Sequence, residues 1–350
     1  MVTIIKWSLG IDVGSKQIRC CLSWIDSAQT VKVKASRKFS NAPVGLQELL
    51  LWIKKHYTDP LVPLSVTMEA TGVYYERCAL LLREKGFRVS VILPTKAKRY
   101  LQAVGLKSKN DKIDAEGLAR MGAEQHLAQW SAASADMYAL RLLTRQHEDL
   151  QKSITSFSNQ LHAIQNGMYR YEDIENSYEQ TISNLKEFLA KVETAITESI
   201  KKNESLKEKI DILSSIKGAG ELTAATIIGE TNGFALFENY KQLVSYAGYD
   251  VIENQSGDHV GKTKISKKGN SHIRRILHMA ALNVVTYKVK PFVDLYERVY
   301  QRTNVKMKGY VAVQRKLLVI LFALCKKNQK FDPQHQSSLS EKGSRGLLLA

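Results

Sequence analysis

Four carboxylates in the first third of the chain have the residue types and the spacing of a metal site. Asp12 interrupts the apolar run GIDVG, and Glu69 ends the apolar run SVTME. A carboxylate inside a buried strand is costly unless it is paired or binds a cation. Asp111 and Asp114, in KNDKIDAEGLA, are three residues apart and therefore share one face of a helix. Four such side chains would form an oxygen-rich pocket that suits Mg²⁺, with Mn²⁺ as the alternative ion.

The chemistry suited to such a pocket is phosphoryl transfer, because two metal ions stabilise the attacking and the leaving oxygen. Asp111 and Asp114 taken alone would also fit a solvated helix face, since DxxD is a common pattern. Asp12 does not fit that interpretation, because its apolar neighbours predict burial. The residues predicted to be catalytic and to bind metal are Asp12, Glu69, Asp111 and Asp114.

Short β-rich runs and helical runs alternate from Trp7 to Pro94. WSLGID, KQIRCCLSWI and TVKVKASRKF predict three consecutive antiparallel strands. NAPVGLQELLLWIKKH predicts a helix, PLSVTMEATG a buried strand, YYERCALLLREKG a helix and FRVSVILP a further strand. This order is typical of the RNase H-like fold, so an α/β domain of that class is predicted over residues 1–135.

Heptad spacing predicts a long coiled-coil segment over residues 136–213. Apolar residues step by three and four from Leu140 to Met168, and again from Ile182 to Leu213. Two long helices follow from this pattern, and they pair either as an antiparallel hairpin or with another subunit. Asn203 is one of three polar residues in the seam, and we interpret these as register-setting or partly hydrated positions.

The third segment, residues 214–330, is predicted to be mostly helical and basic, and residues 331–350 a flexible tail. IKGAGELTAATIIGE places Gly218 and Gly220 in a turn between helical stretches. Such a turn is found in helix-hairpin-helix motifs, where its amides face a DNA phosphate. It is equally typical of an ordinary glycine turn between core helices.

The charge of the chain favours a polyanionic partner. The 350 residues include 51 Lys and Arg against 34 Asp and Glu, a formal net charge of +17, and nucleic acid is the first expectation. No signal peptide or lipidation motif opens the chain, and the apolar run LLVILFALC is too short to cross a bilayer, so we expect a cytoplasmic protein. Without a CxxC pair, the four cysteines predict neither a zinc site nor a disulfide framework.

The three carboxylate motifs GIDVG, MEATG and KNDKIDAEGLA resemble the DEDD signature of the IS110 family of bacterial insertion-sequence transposases. IKGAGELTAATIIGE, YAGYD, NQSG and KISKKGNSHIRRILHMAA resemble the family's C-terminal transposase domain, so the resemblance covers about Trp7 to Leu324. GIDVGSK alone also resembles the first phosphate loop of actin-like ATPases and sugar kinases. Those proteins need a second Asp-x-Gly loop and an adenosine motif, and neither occurs here.

The resemblance implies a RuvC-like N-terminal domain with the metal site and a serine nucleophile in the C-terminal domain. By its position in NQSGDHVGK, that serine is Ser256, while Ser266 in KISKKGN is the competing candidate. Taken alone, a Ser-Gly pair is ordinary turn chemistry. The chain departs from the family pattern at Tyr249, Asp250 and Val251, just after the YAG turn, which leaves the path to Ser256 open.

The implied activity is that of a transposase or DNA recombinase that works through a phosphoserine intermediate. The implied partners are donor and target double-stranded DNA, a noncoding bridge RNA that guides target choice, and further copies of the chain in a homodimer or a tetramer built of dimers. No membrane partner is expected, and a bacterial cytoplasmic protein associated with the nucleoid is predicted. The alternatives are a Piv-like site-specific DNA invertase without a guide and a RuvC-like structure-selective nuclease.

The residues predicted to contact nucleic acid are glycines of the GxG turn and basic residues near the site motifs. They are Lys96, Lys98, Arg99, Lys107, Lys109, Lys112, Gly218, Gly220, Lys262, Lys264, Lys267, Lys268, Arg274 and Arg275. Phosphate contacts by such residues would explain affinity but not sequence choice. For each basic residue the alternative is a solvated surface charge.

Overall fold

The computed structural model describes residues 3–105, 110–252, 255–256, 259–261 and 264–333, with only the backbone at 255, 256, 259 and 260. The chain divides into two compact units, Met1–Ala132 and Ala133–Ala350, called unit 1 and unit 2 below. The division into four segments predicted from the sequence remains a prediction. No helix in the described ranges has the length and apolar character needed to span a membrane.

Unit 1 contains a five-stranded mixed sheet. Its strands are β1 (Ile4–Val13), β2 (Gln17–Asp26), β3 (Val31–Ser40), β4 (Leu64–Glu69) and β5 (Arg88–Ile92), in the order β3-β2-β1-β4-β5. β1, β2 and β3 are antiparallel, whereas β4 is parallel to β1 and to β5. The predicted RNase H-like (RuvC-like) α/β fold of this part of the chain is confirmed.

In the described part of unit 1, four helices accompany the sheet: α1 (Pro43–His56), α2 (Glu76–Glu84), α3 (Pro94–Ala103) and α4 (Asp111–Glu124). Every second side chain of β1 and β4 points to the same face of the sheet, and these side chains contribute to the main core of unit 1. They include the fully buried Leu9, Ile11, Val66 and Met68. The other face of β1, β2 and β4 packs against α4.

Small residues allow α4 to lie directly on the sheet. A Cβ atom added to Gly10 would overlap the carbonyl oxygen of Ala115 and the amide nitrogen of Ala119. A Cβ atom on Gly122 would overlap the hydroxyl oxygens of Ser8 and Thr67. The contact at Gly10 fixes the first turns of α4 beside the C-terminal end of β1.

Unit 2 is mostly helical, as predicted. Its helices are α5 (Ala135–Gln165), α6 (Glu172–Lys201), α7 (Glu204–Leu213), α8 (Glu221–Thr231), α9 (Tyr240–Ala247), α10 (Ser271–Thr286), α11 (Phe292–Thr303) and α12 (Lys306–Lys327). Between α9 and α10 the described residues form four two-residue strands: β6 (Val251–Ile252), β7 (Gln255–Ser256), β8 (His259–Val260) and β9 (Lys264–Ile265).

The heptad segment folds back on itself within one chain. The rings of Phe157 and Tyr178 lie 5.7 Å apart, and Nε2 of His147 lies 3.2 Å from Oε1 of Glu193. These pairs run in opposite directions along α5 and α6, so the two helices form the antiparallel hairpin, which was one of the two predicted arrangements.

The second long helix is interrupted, which the heptad pattern did not predict. Asn203 lies between α6 and α7, and its Oδ1 accepts a hydrogen bond of 3.0 Å from the amide of Leu206. An asparagine that accepts from the third residue of a helix is an N-cap and starts a new helix. Asn203 is therefore a helix boundary and not a polar position inside a continuous seam.

Candidate active site

Asp12 and Glu69 lie at the C-terminal ends of two adjacent parallel strands. The last paired residues of β1 and β4 are Ile11 and Met68, and each carboxylate comes one position later. Side chains alternate along a strand, so Asp12 and Glu69 point to the face opposite the buried Ile11 and Met68. That is the face on which α4 packs.

The first turn of α4 brings the other two carboxylates to the same edge of the sheet. Asp111 and Asp114 both lie in that turn, and the N-cap Asn110 accepts a hydrogen bond of 2.9 Å from the amide of Ile113. Because Ala115 packs at Gly10, the residues just before it reach the level of Asp12. Negative side chains at a helix N-terminus are also stabilised by the helix dipole.

The electrostatics of Asp12 show that the carboxylates influence one another. Burial, and after it the charges of Asp114, Asp111 and Glu69 in that order, together raise the pKa of the Asp12 carboxyl from 3.8 to about 6. A like charge disfavours the ionised form of its neighbour, whereas a cation favours it. The structure therefore brings the four predicted residues into one site of concentrated negative charge.

The donor set fits a hard divalent cation. All four side chains offer carboxylate oxygens, the ligands that Mg²⁺ and Mn²⁺ prefer, and a bound cation would remove the repulsion that raises the pKa of Asp12. Among the described residues, no group of three or more His, Cys, Asp or Glu side chains stands close enough to hold one ion. The fit is therefore one of donor chemistry and charge, and the role of the four residues as metal ligands remains a prediction.

Two cations at this edge of unit 1 were missed in the sequence. Arg19 on β2 lies opposite Asp12, and Lys38 on β3 lies opposite Arg19. The Lys38 ammonium is 3.4 Å from a carboxylate oxygen of Asp111. Both residues line a small pocket together with Asp12 and Asp111. In the sequence, the only sign that these cations lie near the carboxylates was their place in the predicted strands. Recognising that Arg19 lies opposite Asp12 requires the strand register that the GS turn sets.

Ser256 lies on a hairpin arm between α9 and α10. Near the base of the arm Val251 pairs with Ile265, and farther out Ser256 pairs with His259. At the base, the amide of Ser266 donates to the carbonyl of Asp250 over 2.8 Å, and the amide of Lys267 donates to Gly248 over 3.0 Å. The arm is thus fixed where it leaves the helices, and Ser256 lies toward its other end.

Two glycines and a buried tyrosine fix the base of the arm. Gly248 has a φ of +75°, and a Cβ atom on Gly269 would overlap the carbonyl oxygen of Tyr246, so the two turns touch through backbone. Tyr249, at the departure from the family pattern, is fully buried, and its hydroxyl donates to Oε1 of Gln314 over 2.9 Å. That departure therefore contributes a core residue.

Ser266, the competing nucleophile, has a structural contact. Its hydroxyl oxygen accepts a hydrogen bond of 3.3 Å from the amide of Lys268, which closes the turn that contains Lys267 in a left-handed conformation, φ +53°. Such side-chain contacts to a nearby amide are typical of turn-forming serines. The contact gives Ser266 a role in the turn, and the choice of Ser256 as nucleophile remains a prediction from the family resemblance.

Behind the arm lies a buried carboxylate, Glu230, that the sequence did not single out. Its side chain is 0% exposed and accepts two hydrogen bonds from Arg145, of 2.6 and 2.8 Å, and one of 2.6 Å from Asn270. Asn270 also caps α10. Burial raises the pKa of the Glu230 carboxyl, but the bonds from Arg145 and Asn270 outweigh burial and lower it below the ordinary value. Glu230 thus ties α5, α8 and the start of α10 together.

The two glycines of the GxG turn differ in their surroundings. Gly218 has a φ of +104°, and a Cβ atom there would meet the backbone of Asn283 and Val284 on α10 at about 3 Å. Gly220 precedes α8 and has open space around it. Packing therefore accounts for Gly218, and only Gly220 is placed where a phosphate could approach the first amides of α8.

The basic candidates fall into three groups. Lys96, Lys98 and Arg99 are exposed on α3, as are Lys264, Lys267 and Lys268 around the base of the arm. Others make protein contacts: Lys112 with Glu116, Arg275 with Glu148, and Arg274 with the carbonyl oxygens of Ala247 and Asn270. Lys107, Lys109 and Lys262 lie outside the described residues. Arg274 therefore holds the base of the arm, and a phosphate contact remains a prediction for all of these residues.

The chain matches two family models. Residues 9–169 match a DEDD model described as a transposase, and residues 210–297 match the transposase IS116/IS110/IS902 family. The pilin gene-inverting protein of Moraxella bovis is 27% identical over 328 residues, 93% of this chain and 98% of that protein, and its namesake in Moraxella lacunata gives the same figures. The RuvC structure of Thermus thermophilus in complex with a Holliday junction substrate shares 14% identity, covers 33% of this chain and 90% of that chain, and superimposes with a TM-score of 0.26.

Proposed function

Because this chain belongs to the IS116/IS110/IS902 family of transposases, we propose that it cuts and rejoins donor and target DNA through a phosphoserine intermediate at Ser256. The observation that carries this proposal is the cluster of Asp12, Glu69, Asp111 and Asp114 at one edge of the unit 1 sheet, where like charges raise the pKa of Asp12. A site of that charge would repel DNA phosphate unless cations were bound there.

In the proposed step, the hydroxyl oxygen of Ser256 attacks the scissile phosphorus. A bond forms between that oxygen and phosphorus, the bond from phosphorus to the leaving deoxyribose oxygen breaks, and the serine proton is lost while the leaving oxygen gains one. Attack by the hydroxyl of another DNA end on the phosphoserine then reverses the chemistry with a new partner. Each exchange replaces one phosphodiester by another, so no external energy source is needed.

Asp12, Glu69, Asp111 and Asp114 would hold Mg²⁺, with Mn²⁺ as the alternative ion. When bound, the ions supply charge stabilisation for the attacking and leaving oxygens. The residues themselves contribute position: the packing of α4 at Gly10 keeps Asp111 and Asp114 at the level of Asp12. A serine hydroxyl is a weak nucleophile at neutral pH, so such activation is required.

We further propose that a noncoding RNA guides the choice of target, as the family resemblance implies. The net charge of +17 and the exposed lysines and arginine of α3 support binding of a polyanion, whether RNA or DNA. Bacterial cytoplasm, with the protein bound to the nucleoid, is the setting that this activity requires.

A second candidate is a site-specific DNA invertase that works without a guide. It is favoured by the similarity to the two pilin gene-inverting proteins, which extends over 93% of the chain and so includes both units. Both candidates use the same proposed chemistry and differ in how the DNA sites are chosen. The third candidate is a structure-selective nuclease that uses unit 1 alone. The variant Ser256→Ala distinguishes it from the other two candidates, because such a nuclease does not need Ser256.

We propose that the active form is a homodimer or a tetramer built of two dimers, assembled through the outer part of the α5–α6 hairpin. The segment that joins these helices carries apolar side chains with exposed fractions of 88% at Met168 and 71% at Tyr169. The inner part cannot be deleted as a test, because Leu140 and Ile196 belong to the core of unit 2. Shortening only the outer part should abolish oligomers in light scattering while unit 2 stays folded.

The test of the chemistry is a covalent protein–DNA adduct. End-labelled donor DNA is incubated with protein and Mg²⁺, denatured, and examined for a slow band that protease removes. The proposal requires the adduct in the wild type and in Ser266→Ala, and its absence in Ser256→Ala. If Ser256→Ala still cut DNA as well as the wild type, the nuclease would replace the recombinase.

The test of the guide is the RNA that stays bound to the protein. The protein is purified, with a salt wash, from cells that carry its native flanking DNA, and the bound RNA is sequenced. A single species transcribed from the flank, with segments that match the ends of the element, supports guidance. Bulk cellular RNA without such a species would instead favour the invertase.

A further inference from the structure

Charged side chains form a row across four neighbouring strands at the level of Asp12. Asp12 on β1 pairs in register with Arg19 on β2, and Arg19 pairs with Lys38 on β3. Glu69 lies one position beyond the last pair of β1 and β4. Residues opposite one another on adjacent strands lie on the same face of the sheet. Two cations therefore continue the row of carboxylates toward the β3 edge of unit 1.

Arg19 has an unused hydrogen-bond donor in this row. Its Nε is buried and has no partner among the described residues. A buried donor without a partner costs free energy, and each such group in a native protein requires an explanation. Arg19, Lys38, Asp12 and Asp111 all line the same small pocket, and a ligand with acceptor oxygens in that pocket would meet the side chain of Arg19.

The contact between Lys38 and the carboxylates is a solvent-exposed ion pair. Lys38 contacts Asp111 at 3.4 Å, and the two side chains are 51% and 65% exposed. Exposed pairs of this kind contribute little to stability, so Lys38 can exchange its partner at low cost.

We propose that Arg19 and Lys38 bind the backbone phosphates of the DNA strand that is cut, on the β3 side of the four carboxylates. The proposal rests on the proposed function, because it assigns a DNA strand to the same site. The planar guanidinium of Arg19 suits bidentate contact with phosphate oxygens, and Lys38 offers a point charge. These contacts would offset the repulsion between the strand and the acidic residues, and would set the path of the strand into the site.

The test measures DNA binding without divalent metal, so that it does not depend on catalysis. Binding of a short fluorescent DNA duplex is followed by anisotropy in EDTA at several salt concentrations. We compare Arg19→Gln, Lys38→Gln and Arg19→Lys with the matched control Lys34→Gln, which removes the same charge from an exposed position on β3. Thermal unfolding of each variant confirms the fold, and the exposed Lys38 provides a variant that leaves the core intact.

Arg19→Gln and Lys38→Gln should each weaken binding by about 3- to 10-fold and lower the slope of log affinity against log salt by about 1. Arg19→Lys should keep the slope and lose part of the affinity. If both Gln variants bind like Lys34→Gln, the inference is wrong. In EDTA, Asp12→Asn should bind at least as tightly as the wild type, because it removes a negative charge from the site. In a separate reaction with Mg²⁺ it should not cut DNA, and cutting by Asp12→Asn there would refute the proposed function instead.

Discussion

Asp12 is a half-buried carboxylate and Glu230 a fully buried one, and the charges around them have opposite signs. Around Asp12 burial and three further carboxylates together raise the pKa to about 6. Around Glu230 a guanidinium and an amide lower a pKa that burial alone would raise. The charge of Glu230 is therefore matched within the folded chain, whereas the raised pKa of Asp12 shows an excess of negative charge that a bound cation would reduce. The comparison separates a carboxylate that stabilises the fold from one that costs stability and can serve function.

The largest effect expected from this comparison is on DNA cleavage. Asp12→Asn should lower the rate of donor-strand cleavage by about a thousandfold, because stabilisation by a bound metal ion is worth several kcal/mol and each 1.4 kcal/mol is about tenfold. The measurement is the initial rate on labelled DNA with Mg²⁺. Glu187→Gln, an exposed carboxylate on α6, is the control and should cut normally.

On the other side of the comparison, Glu230→Gln should destabilise unit 2 by about 3 kcal/mol, because it leaves the charge of Arg145 without its buried partner. Urea denaturation measures the loss, and Glu187→Gln should change stability by less than about 0.5 kcal/mol. A loss for Glu230→Gln no larger than that of the control would show that Glu230 is not structural.

The Asp12 site and the surroundings of Glu230 are also held together by different means. Close packing positions the carboxylates of unit 1, whereas hydrogen bonds hold Glu230. Gly10→Ala should destabilise the protein by about 2 kcal/mol, because the new methyl group overlaps the backbone of α4 at Ala115 and Ala119. It should also reduce cleavage, since α4 must move and carries Asp111 with it. An unchanged melting temperature would mean that α4 does not rest on β1 in this way.

The smallest effect concerns pH and has a definite sign. Since the folded-state pKa of Asp12 is above its ordinary value, the folded protein retains the Asp12 proton between about pH 4 and pH 6 while the unfolded chain releases it. The free energy of unfolding of the wild type relative to Asp12→Asn should therefore fall as the pH rises from about 4 to about 6. The expected decrease is about 1 kcal/mol once solvent screening of the half-buried group is included. Denaturation at both ends of the window measures the difference, and a constant difference would contradict the raised pKa.

Much of unit 1 could be predicted because its signals are local. Strand runs, polar turns and one long helix defined the RNase H-like order, and Asp12 was evident because an acid among apolar neighbours is unusual. Arg19 and Lys38 could not be recognised, since a basic residue on a half-exposed strand has no distinctive pattern. Their proximity to the carboxylates depends on strand register, which follows from hydrogen bonding across the sheet.

In unit 2 the sequence predicted helices better than contacts. The heptad spacing of α5 and α6 was clear, but Asn203 could occupy a seam position or an N-cap, and only the hydrogen bond from Leu206 distinguishes them. Glu230 lies in GELTAATIIGE, where it looks like a surface acid at a helix end. Its partners Arg145 and Asn270 are 85 and 40 residues away, so no local pattern could identify them.

Metal binding by the carboxylates of unit 1 is the claim on which the rest of this account depends, and calorimetric titration with Mn²⁺ at about pH 7 tests it directly. Wild-type protein and Glu187→Gln should show the same saturable heat, while Asp12→Asn should lose it and remain folded. Equal Mn²⁺ binding by Asp12→Asn and the wild type would contradict a metal site at the end of β1.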